Sequence, residues 1–104
     1  MNLAQLGAKV VIWDVNQAGL EQTKAMIEEE NRKCNSFFCD VSNKEQVYQT
    51  ADRVRQEVGN VGVLVNNAGI VNGKWLMDVP DEKIEKCMEV NVIAHFWVSY
   101  TCNI

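Results

Sequence analysis

The sequence lacks the features that mark several common classes of protein. It has no basic cluster, and its net charge of −4 and pI near 4.9 argue against nucleic-acid or anionic-membrane partners. Its four cysteines have no CxxC or other paired spacing, so we expect reduced thiols and neither a metal site nor a disulfide framework. The first residues show no charged region followed by a long apolar core, so no signal peptide or membrane-spanning segment is expected. A cytoplasmic location follows as the expectation.

Glycine-rich phosphate-binding turns are also absent. The six glycines stand at positions 7, 19, 59, 62, 69 and 73 and form neither GxGxxG nor GxxxGxG, the turns whose amides hold a pyrophosphate. What remains is an ordinary globular composition, with 104 residues of which 47% are hydrophobic and 23% charged. A chain of this size forms one domain with a modest core.

Apolar strand-like runs alternate with stretches of helical period, and this alternation predicts a parallel α/β sheet. Strands are predicted over 9–14, 35–39 and 61–65. Four helices are predicted. The first ends at Gly7, and the second covers 17–32 and is capped by Asn16. The third begins at Ser42 and ends at Gly59, and the fourth covers 81–100. Ser42 and Glu45 are interpreted as a capping box, in which each side chain accepts from a free backbone amide at the helix start.

The run 61–65 stops at Asn66-Asn67-Ala68-Gly69, as a buried parallel strand does where its carboxyl end reaches a ligand crevice. From the residues alone, a strand followed by a simple turn explains this pattern about as well, because Asn and Gly are common turn residues.

Two carboxylates follow the other predicted strands. Asp14 is placed to accept hydrogen bonds from ribose hydroxyls, or else only to solvate a loop and assist the Asn16 cap. Asp40, beside Val41, serves equally well as a ligand contact or as a negative charge at a helix N-terminus.

Four short stretches carry a resemblance to a known family. They are Trp13-Asp14, Cys39-Asp40-Val41, the segment Asn66 to Gly73, and Asn91 with His95-Phe96-Trp97. Together they resemble the short-chain dehydrogenase/reductase family, most of all the branch of retinol dehydrogenases and 17-beta-hydroxysteroid dehydrogenases. The resemblance runs from about Leu3 to Trp97. It implies a Rossmann-like, doubly wound sheet and NAD-linked interconversion of alcohol and carbonyl on a small hydrophobic substrate, a retinoid or steroid.

The resemblance also implies roles for particular residues. Asn91 would position a water next to the catalytic lysine, although a buried Asn that only bonds a backbone carbonyl is the alternative. His95 is interpreted as a packing residue. A carboxylate at the ribose with no neighbouring Arg favours NAD over NADP. The implied cofactor contacts are Asp14 with the adenosine ribose and Asp40 and Val41 with the adenine. The loop Asn66, Asn67, Ala68 and Gly69 is implied to support the central sheet and to lie along the cofactor's ribose.

The family's Tyr-x-x-x-Lys pair is not found, because neither Tyr48 nor Tyr100 has a Lys four residues on. We therefore expect residues 1–104 to be an incomplete NAD(P)-binding Rossmann-like domain, truncated at both ends and lacking its first strand and C-terminal half. The missing strand would leave 9–14 and 61–65 about 9–10 Å apart.

Three interpretations of function remain open. The chain is an inactive fragment of an NAD-dependent oxidoreductase, or a non-catalytic module that pairs with a full-length enzyme, or with a second copy, through helix 81–100. It is otherwise a product without function. Longer relatives of this branch are often held at the endoplasmic reticulum membrane or at lipid droplets.

Overall fold

The structure, a computed structural model, describes residues 2–102 and contains a parallel sheet of two strands. Strand β1 (Val10–Asp14) pairs with β2 (Cys34–Phe38), with Val10 opposite Cys34 and Asp14 opposite Phe38. Both predicted strands are confirmed to within a residue at each end. The parallel pairing follows from the crossover through the intervening helix, and the fold belongs to the α/β class.

Helix α1 (Asn2–Gln5) ends as predicted near Gly7, whose positive φ of 90° suits a residue without a side chain. Helix α2 (Gln17–Glu28) forms the crossover between the strands. Its predicted cap is confirmed, because the Asn16 side chain accepts a hydrogen bond from the Gly19 amide at 2.9 Å. The helix ends four residues earlier than predicted.

A first core cluster lies between α1, α2 and the sheet. Ala4, Ile27 and Cys34 are buried there, and Val10 and Ile12 pack against them. One face of β1 is thus covered by the two helices that precede and follow it.

Helix α3 (Lys44–Glu57) carries the clearest amphipathic pattern, and Val47, Ala51 and Val54 are buried as their spacing predicts. The predicted capping box at its start is wrong. The cap is Asn43, which accepts from the Gln46 amide at 3.1 Å.

The reason is that the Ser42 hydroxyl has another partner, since it donates to the Asp40 carboxylate at 2.6 Å. A serine so engaged is drawn away from the helix N-terminus, and the next polar residue caps instead.

The predicted strand over 61–65 is also wrong. Among the described residues the sheet contains only β1 and β2, and this segment has no strand partner. Val63 and Val65 are 76% and 68% exposed, whereas Leu64 packs against the second core cluster. An apolar run becomes a strand only when a neighbour lies within about 5 Å to pair with its backbone.

The predicted helix over 81–100 is confirmed and continues to residue 102. It is built from α4 (Asp81–Met88), a π-helical turn (Glu89–Ile93) and α5 (Ala94–Cys102), and we call the whole the long helix. Pro80 precedes it, with acidic residues in the first turn, as is typical of a helix start.

The long helix is joined to the rest of the chain by the second core cluster. Its buried members are Cys39, Val47 and Val98, which come from the end of β2, from α3 and from α5. Trp13, Val41, Leu64, Trp97 and Cys102 pack against them. The helix therefore lies over the polar segments that follow the two strands.

Candidate functional site

The carboxyl ends of β1 and β2 lie at the same edge of the sheet, because the strands are parallel. The Cys39 amide donates to the Asp14 carbonyl at 3.0 Å, so the pairing continues past β2 up to the residue before Asp40. The Asp14 carboxylate is exposed, and its Oδ1 accepts from the Val15 and Asn16 amides at 2.7 and 3.2 Å. Within residues 2–102 its Oδ2 accepts from no other group, so one oxygen is open to a ligand.

Asp40 is held by hydrogen bonds on three sides. Its Oδ1 accepts from the Ser42 amide at 3.0 Å and from the Ser42 hydroxyl at 2.6 Å. Its own amide donates to Gln46 Oε1 at 3.0 Å. Lys86, on α4, places its ammonium 3.4 Å from Asp40 Oδ2 and 2.5 Å from the Ser42 hydroxyl. The turn after β2 is therefore tied both to α3 and to the long helix.

These contacts set the charge state of Asp40. Partial burial raises the pKa of its carboxyl, but the two hydrogen bonds from Ser42 and the Lys86 ammonium outweigh the burial and hold the pKa below its ordinary value. Asp40 is therefore an ionised acceptor at neutral pH.

The loop after Val65 is fixed to the long helix by Asn91. Asn91 Oδ1 accepts from the Ile70 amide at 2.8 Å, and its Nδ2 donates to the Ile70 carbonyl at 2.8 Å. The same Nδ2 also donates to Cys87 Sγ at 3.2 Å. One amide side chain thus satisfies both backbone groups of a loop residue, which explains why a polar side chain occupies an apolar stripe.

Two further side chains of the long helix contact the same loop. His95 Nε2 lies 3.2 Å from the Ala68 carbonyl oxygen, and the Ser99 hydroxyl accepts from Asn66 Nδ2 at 3.3 Å. Asn91, His95 and Ser99 stand four residues apart, so their side chains follow one side of the helix. They contact Ile70, Ala68 and Asn66 in that order, and helix and loop therefore run antiparallel. We call this set of contacts the helix–loop seam.

The structure thus places the predicted site residues in two groups joined by one helix. Lys86 connects the long helix to Asp40, and the helix–loop seam connects it to residues 66–70. Val41 is half-buried against the second core cluster. Leu64, which lies just before the loop, packs against the same cluster. Asp14 lies on the sheet edge beside Asp40 but has no hydrogen bond to the loop.

Sequence reasoning missed four residues of this arrangement. Lys86 and Ser42 were not singled out as partners of Asp40, His95 was interpreted only as packing, and Ser99 was not considered. The available signal was the spacing of polar residues at 91, 95 and 99 along a mostly apolar helix.

Other kinds of site find little support in the described part of the chain. Residues 2–102 contain no group of three or more His, Cys, Asp or Glu placed to hold a metal ion. No helix within the same residues is both long enough and apolar enough to cross a membrane.

Fold and site together define a class of protein. A parallel α/β sheet with polar and carboxylate groups just past the carboxyl ends of its strands is typical of nucleotide-binding α/β proteins. Comparison with known families narrows this class. A family model described as short chain dehydrogenase matches residues 1–103, and the chain belongs to that family.

Relatives of known sequence agree with this assignment. Human epidermal retinol dehydrogenase 2 is 47% identical over 98 residues, which cover 93% of this chain and 32% of that protein. Human estradiol 17-beta-dehydrogenase 11 is 46% identical over 96 residues, covering 92% of this chain and 32% of that protein. The chain thus spans about a third of the length of these relatives.

Solved structures show the same fold. A variant of actinorhodin polyketide ketoreductase with NADPH superposes with a TM-score of 0.90 at 27% identity, covering 96% of this chain and 38% of that one. Gluconate 5-dehydrogenase from Burkholderia cenocepacia, in complex with NADP and tartrate, gives a TM-score of 0.84 at 29% identity, with 97% and 40% covered. The predicted Rossmann-like α/β fold class is confirmed.

Proposed function

We propose that the chain is part of an NAD-dependent oxidoreductase that interconverts alcohol and carbonyl on a small hydrophobic substrate, a retinoid or a steroid. The family and the relatives named retinol and estradiol dehydrogenases support the reaction and the substrate class. The observation that carries the proposal is that one helix contacts both polar segments, at Asp40 through Lys86 and at Ile70 through Asn91.

The residues present fit the adenosine end of a dinucleotide. Asp14 has one carboxylate oxygen open, on an exposed side chain at the strand end, where it can accept from the two hydroxyls of a ribose. Asp40 is ionised and accepts from the adenine amino group, while Val41 packs against the ring. The solved relatives described above contain NADP or NADPH. A carboxylate at position 14 repels a 2′-phosphate, and Val15 and Asn16 supply no cation, so NAD is preferred here.

The loop 66–69 lies along the cofactor's ribose in this proposal. Its residues are exposed, and the helix–loop seam holds the backbone in place. Asn91 retains one lone pair on Oδ1 after it accepts from the Ile70 amide, and through it Asn91 orders a water for proton exchange.

The residues present do not fit the pyrophosphate, since no glycine-rich turn opens a helix among them. They also supply no Tyr-x-x-x-Lys pair for proton transfer to the substrate oxygen. NAD, when bound, supplies the hydride acceptor. The 104 residues alone therefore bind the cofactor weakly and do not catalyse the reaction.

An NMR titration of the chain with NAD⁺ and with NADP⁺ tests the cofactor proposal. NAD⁺ is expected to shift the backbone amide signals of Asp14, Asp40 and Asn67, and NADP⁺ to shift them less at equal concentration. Asp14→Asn should narrow the difference between the two cofactors, because the repulsive charge is removed. Asp78→Asn, which removes another exposed carboxylate, should leave it unchanged. Equal shifts with both cofactors, or none with either, would contradict the proposal.

Incubating the pure chain with NAD⁺ and retinol, or with a hydroxysteroid, tests the absence of catalysis. No formation of NADH above the protein-free rate is expected, and measurable NADH would overturn this part of the proposal.

A second candidate function is that of an interaction module. Phe96 and Tyr100, on α5, are 58% and 71% exposed, and large exposed aromatic residues are typical of protein interfaces. Helix 81–100 would then pair with a full-length relative or with a second copy. Co-purification with the full-length enzyme, lost in Phe96→Asp but kept in Val71→Asp, would support this function. No co-purification would remove it.

A further inference from the structure

The peptide group between Ala68 and Gly69 lies in the middle of the helix–loop seam. His95 Nε2 is 3.2 Å from the Ala68 carbonyl oxygen. A carbonyl only accepts, so the Nε2 atom must carry a proton in this contact. His95 is the only described side chain that contacts the carbonyl of this peptide group.

The carbonyl and the N–H of a trans peptide group point in opposite directions across its plane. The described chain contains no cis peptide bond. When His95 holds the Ala68 carbonyl toward α5, the Gly69 N–H therefore points away from the long helix. Gly69 is exposed, and within residues 2–102 its N–H donates to no other group.

The other contacts of the helix–loop seam do not reach this peptide group, so His95 is the side chain that fixes its orientation. Asn91 fixes both backbone groups of Ile70, and Ser99 contacts only the Asn66 side chain. Neither of them contacts the Ala68 carbonyl. Without His95, no described side chain hydrogen-bonds to the Ala68 carbonyl, and the peptide between Ala68 and Gly69 is free to rotate beside the anchored Ile70.

We propose that His95 is a positioning residue for nucleotide binding. It fixes the peptide between Ala68 and Gly69 so that the Gly69 N–H is presented to an oxygen of a bound dinucleotide, such as a ribose hydroxyl. The proposal deepens the proposed function and rests on it for the identity of the ligand. The orientation of the peptide group is independent of any ligand, and it can be tested in the chain alone.

Two substitutions separate the hydrogen bond from packing. His95→Leu fills a similar space without a donor, whereas His95→Gln places an amide N–H near the position of Nε2. Amide hydrogen exchange and chemical shifts of Gly69 and Ile70 report on the loop. The Cys39 amide, bonded to the Asp14 carbonyl, reports on the sheet.

In His95→Leu, the Gly69 signal is expected to move, because its peptide group loses the hydrogen bond that orients it. Exchange at Ile70, whose amide is held by Asn91, is expected to rise indirectly, by at most about the two- to tenfold that one hydrogen bond is worth, because the loop beside it is released. Exchange at Cys39 should stay unchanged, and His95→Gln should restore Ile70 to near its original rate. Ser99→Ala, which removes only the Asn66 contact, should leave the Gly69 signal in place. An unmoved Gly69 signal in His95→Leu, failure of His95→Gln to restore that signal, or an equal rise in exchange at Ile70 and Cys39 would each overturn the proposal.

Titration of the same variants with NADH completes the test. His95→Leu should weaken NADH binding several-fold relative to His95→Gln and to the unaltered chain. If the unaltered chain binds no NADH, the proposed function fails, while the exchange data still decide whether His95 sets the peptide group. If NADH binds equally to all three, the proposed function stands and the role of His95 is overturned.

Discussion

Replacing Asn91 by aspartate changes the chemistry of the helix–loop seam at one atom. The donor Nδ2 becomes an oxygen, while Oδ1 can still accept from the Ile70 amide. The new carboxylate oxygen would lie where Nδ2 stands, 2.8 Å from the Ile70 carbonyl oxygen and 3.2 Å from Cys87 Sγ. Two acceptors would then face each other in a half-buried position.

The expected loss of stability follows from these contacts. The Nδ2 hydrogen bonds to the Ile70 carbonyl and to Cys87 Sγ are lost. The first is worth about 0.5–1.5 kcal/mol, and the uncompensated desolvation of the two facing oxygens adds about 1–3 kcal/mol. The total is about 1.5–4.5 kcal/mol. Asn91→Ala loses the two hydrogen bonds to Ile70 and the one to Cys87 Sγ but leaves room for water beside Ile70, so its cost is about 1–2 kcal/mol. The substitution that preserves the shape of the side chain is therefore predicted to be the more damaging one.

Urea unfolding followed by circular dichroism at neutral pH measures both variants against the original chain. For a chain of this size each 1 kcal/mol corresponds to a shift of about 4–8 °C in Tm, which gives a second readout. The gap between Asn91→Asp and Asn91→Ala should close at acidic pH, because a protonated carboxyl can donate to the Ile70 carbonyl. An aspartate variant as stable as the alanine variant at neutral pH would refute the reasoning.

Five further substitutions, at Asp40 and in two compared pairs, test other features of the chain. The pKa of Asp40 is lowered on folding, so the ionised carboxylate stabilises the folded chain above the ordinary carboxyl pKa of about 3.9. This stabilisation is lost as the pH falls through the lowered value. Asp40→Asn should therefore flatten the pH dependence of the urea midpoint in that acidic range. Val47→Ala should cost about 2 kcal/mol because Val47 is fully buried, whereas Val71→Ala, at an exposed position, should change the free energy of unfolding by less than about 0.5 kcal/mol. Gly59→Ala should cost about 1–2 kcal/mol by urea unfolding because φ is +133°. Gly69→Ala should cost less, because Gly69 has no positive φ and its added Cβ would reach only ordinary contact distance, 3.4 Å from Asn91 Oδ1.

Local patterns predicted the helices and the first two strands well. In α3 the buried residues Val47, Ala51 and Val54 recur at helical spacing, and a helix packed on one side imposes that spacing whatever its partner is. The Asn16 cap was predictable for the same reason, since donor and acceptor lie three residues apart. The Ser42 cap was not, because it depended on whether Asp40 would take the hydroxyl.

The segment 61–65 shows where local patterns are insufficient. Its β-branched residues fit a strand, but a strand forms only when the backbone of another segment pairs with it. Leu64 still packs into the core while Val63 and Val65 face solvent, so the alternation of sides survives without the hydrogen bonds. A sequence pattern can thus indicate which side chains face the core without showing whether the backbone hydrogen bonds of a β-sheet form.

The helix–loop seam was predictable in one respect and not in another, and it also uses some of the hydrogen-bonding groups of the loop. That Asn91 needs a partner was predictable from its place on an apolar stripe, but that the partner is the backbone of Ile70 depends on a contact between residues 21 positions apart. Ser99 accepts one N–H of the Asn66 side-chain amide and His95 donates to the Ala68 carbonyl, so each of these groups keeps one hydrogen-bonding position for a ligand. Among the loop groups with no partner within residues 2–102 are the Gly69 N–H and the Asn67 side chain, which in the proposed binding role would be open to the ligand.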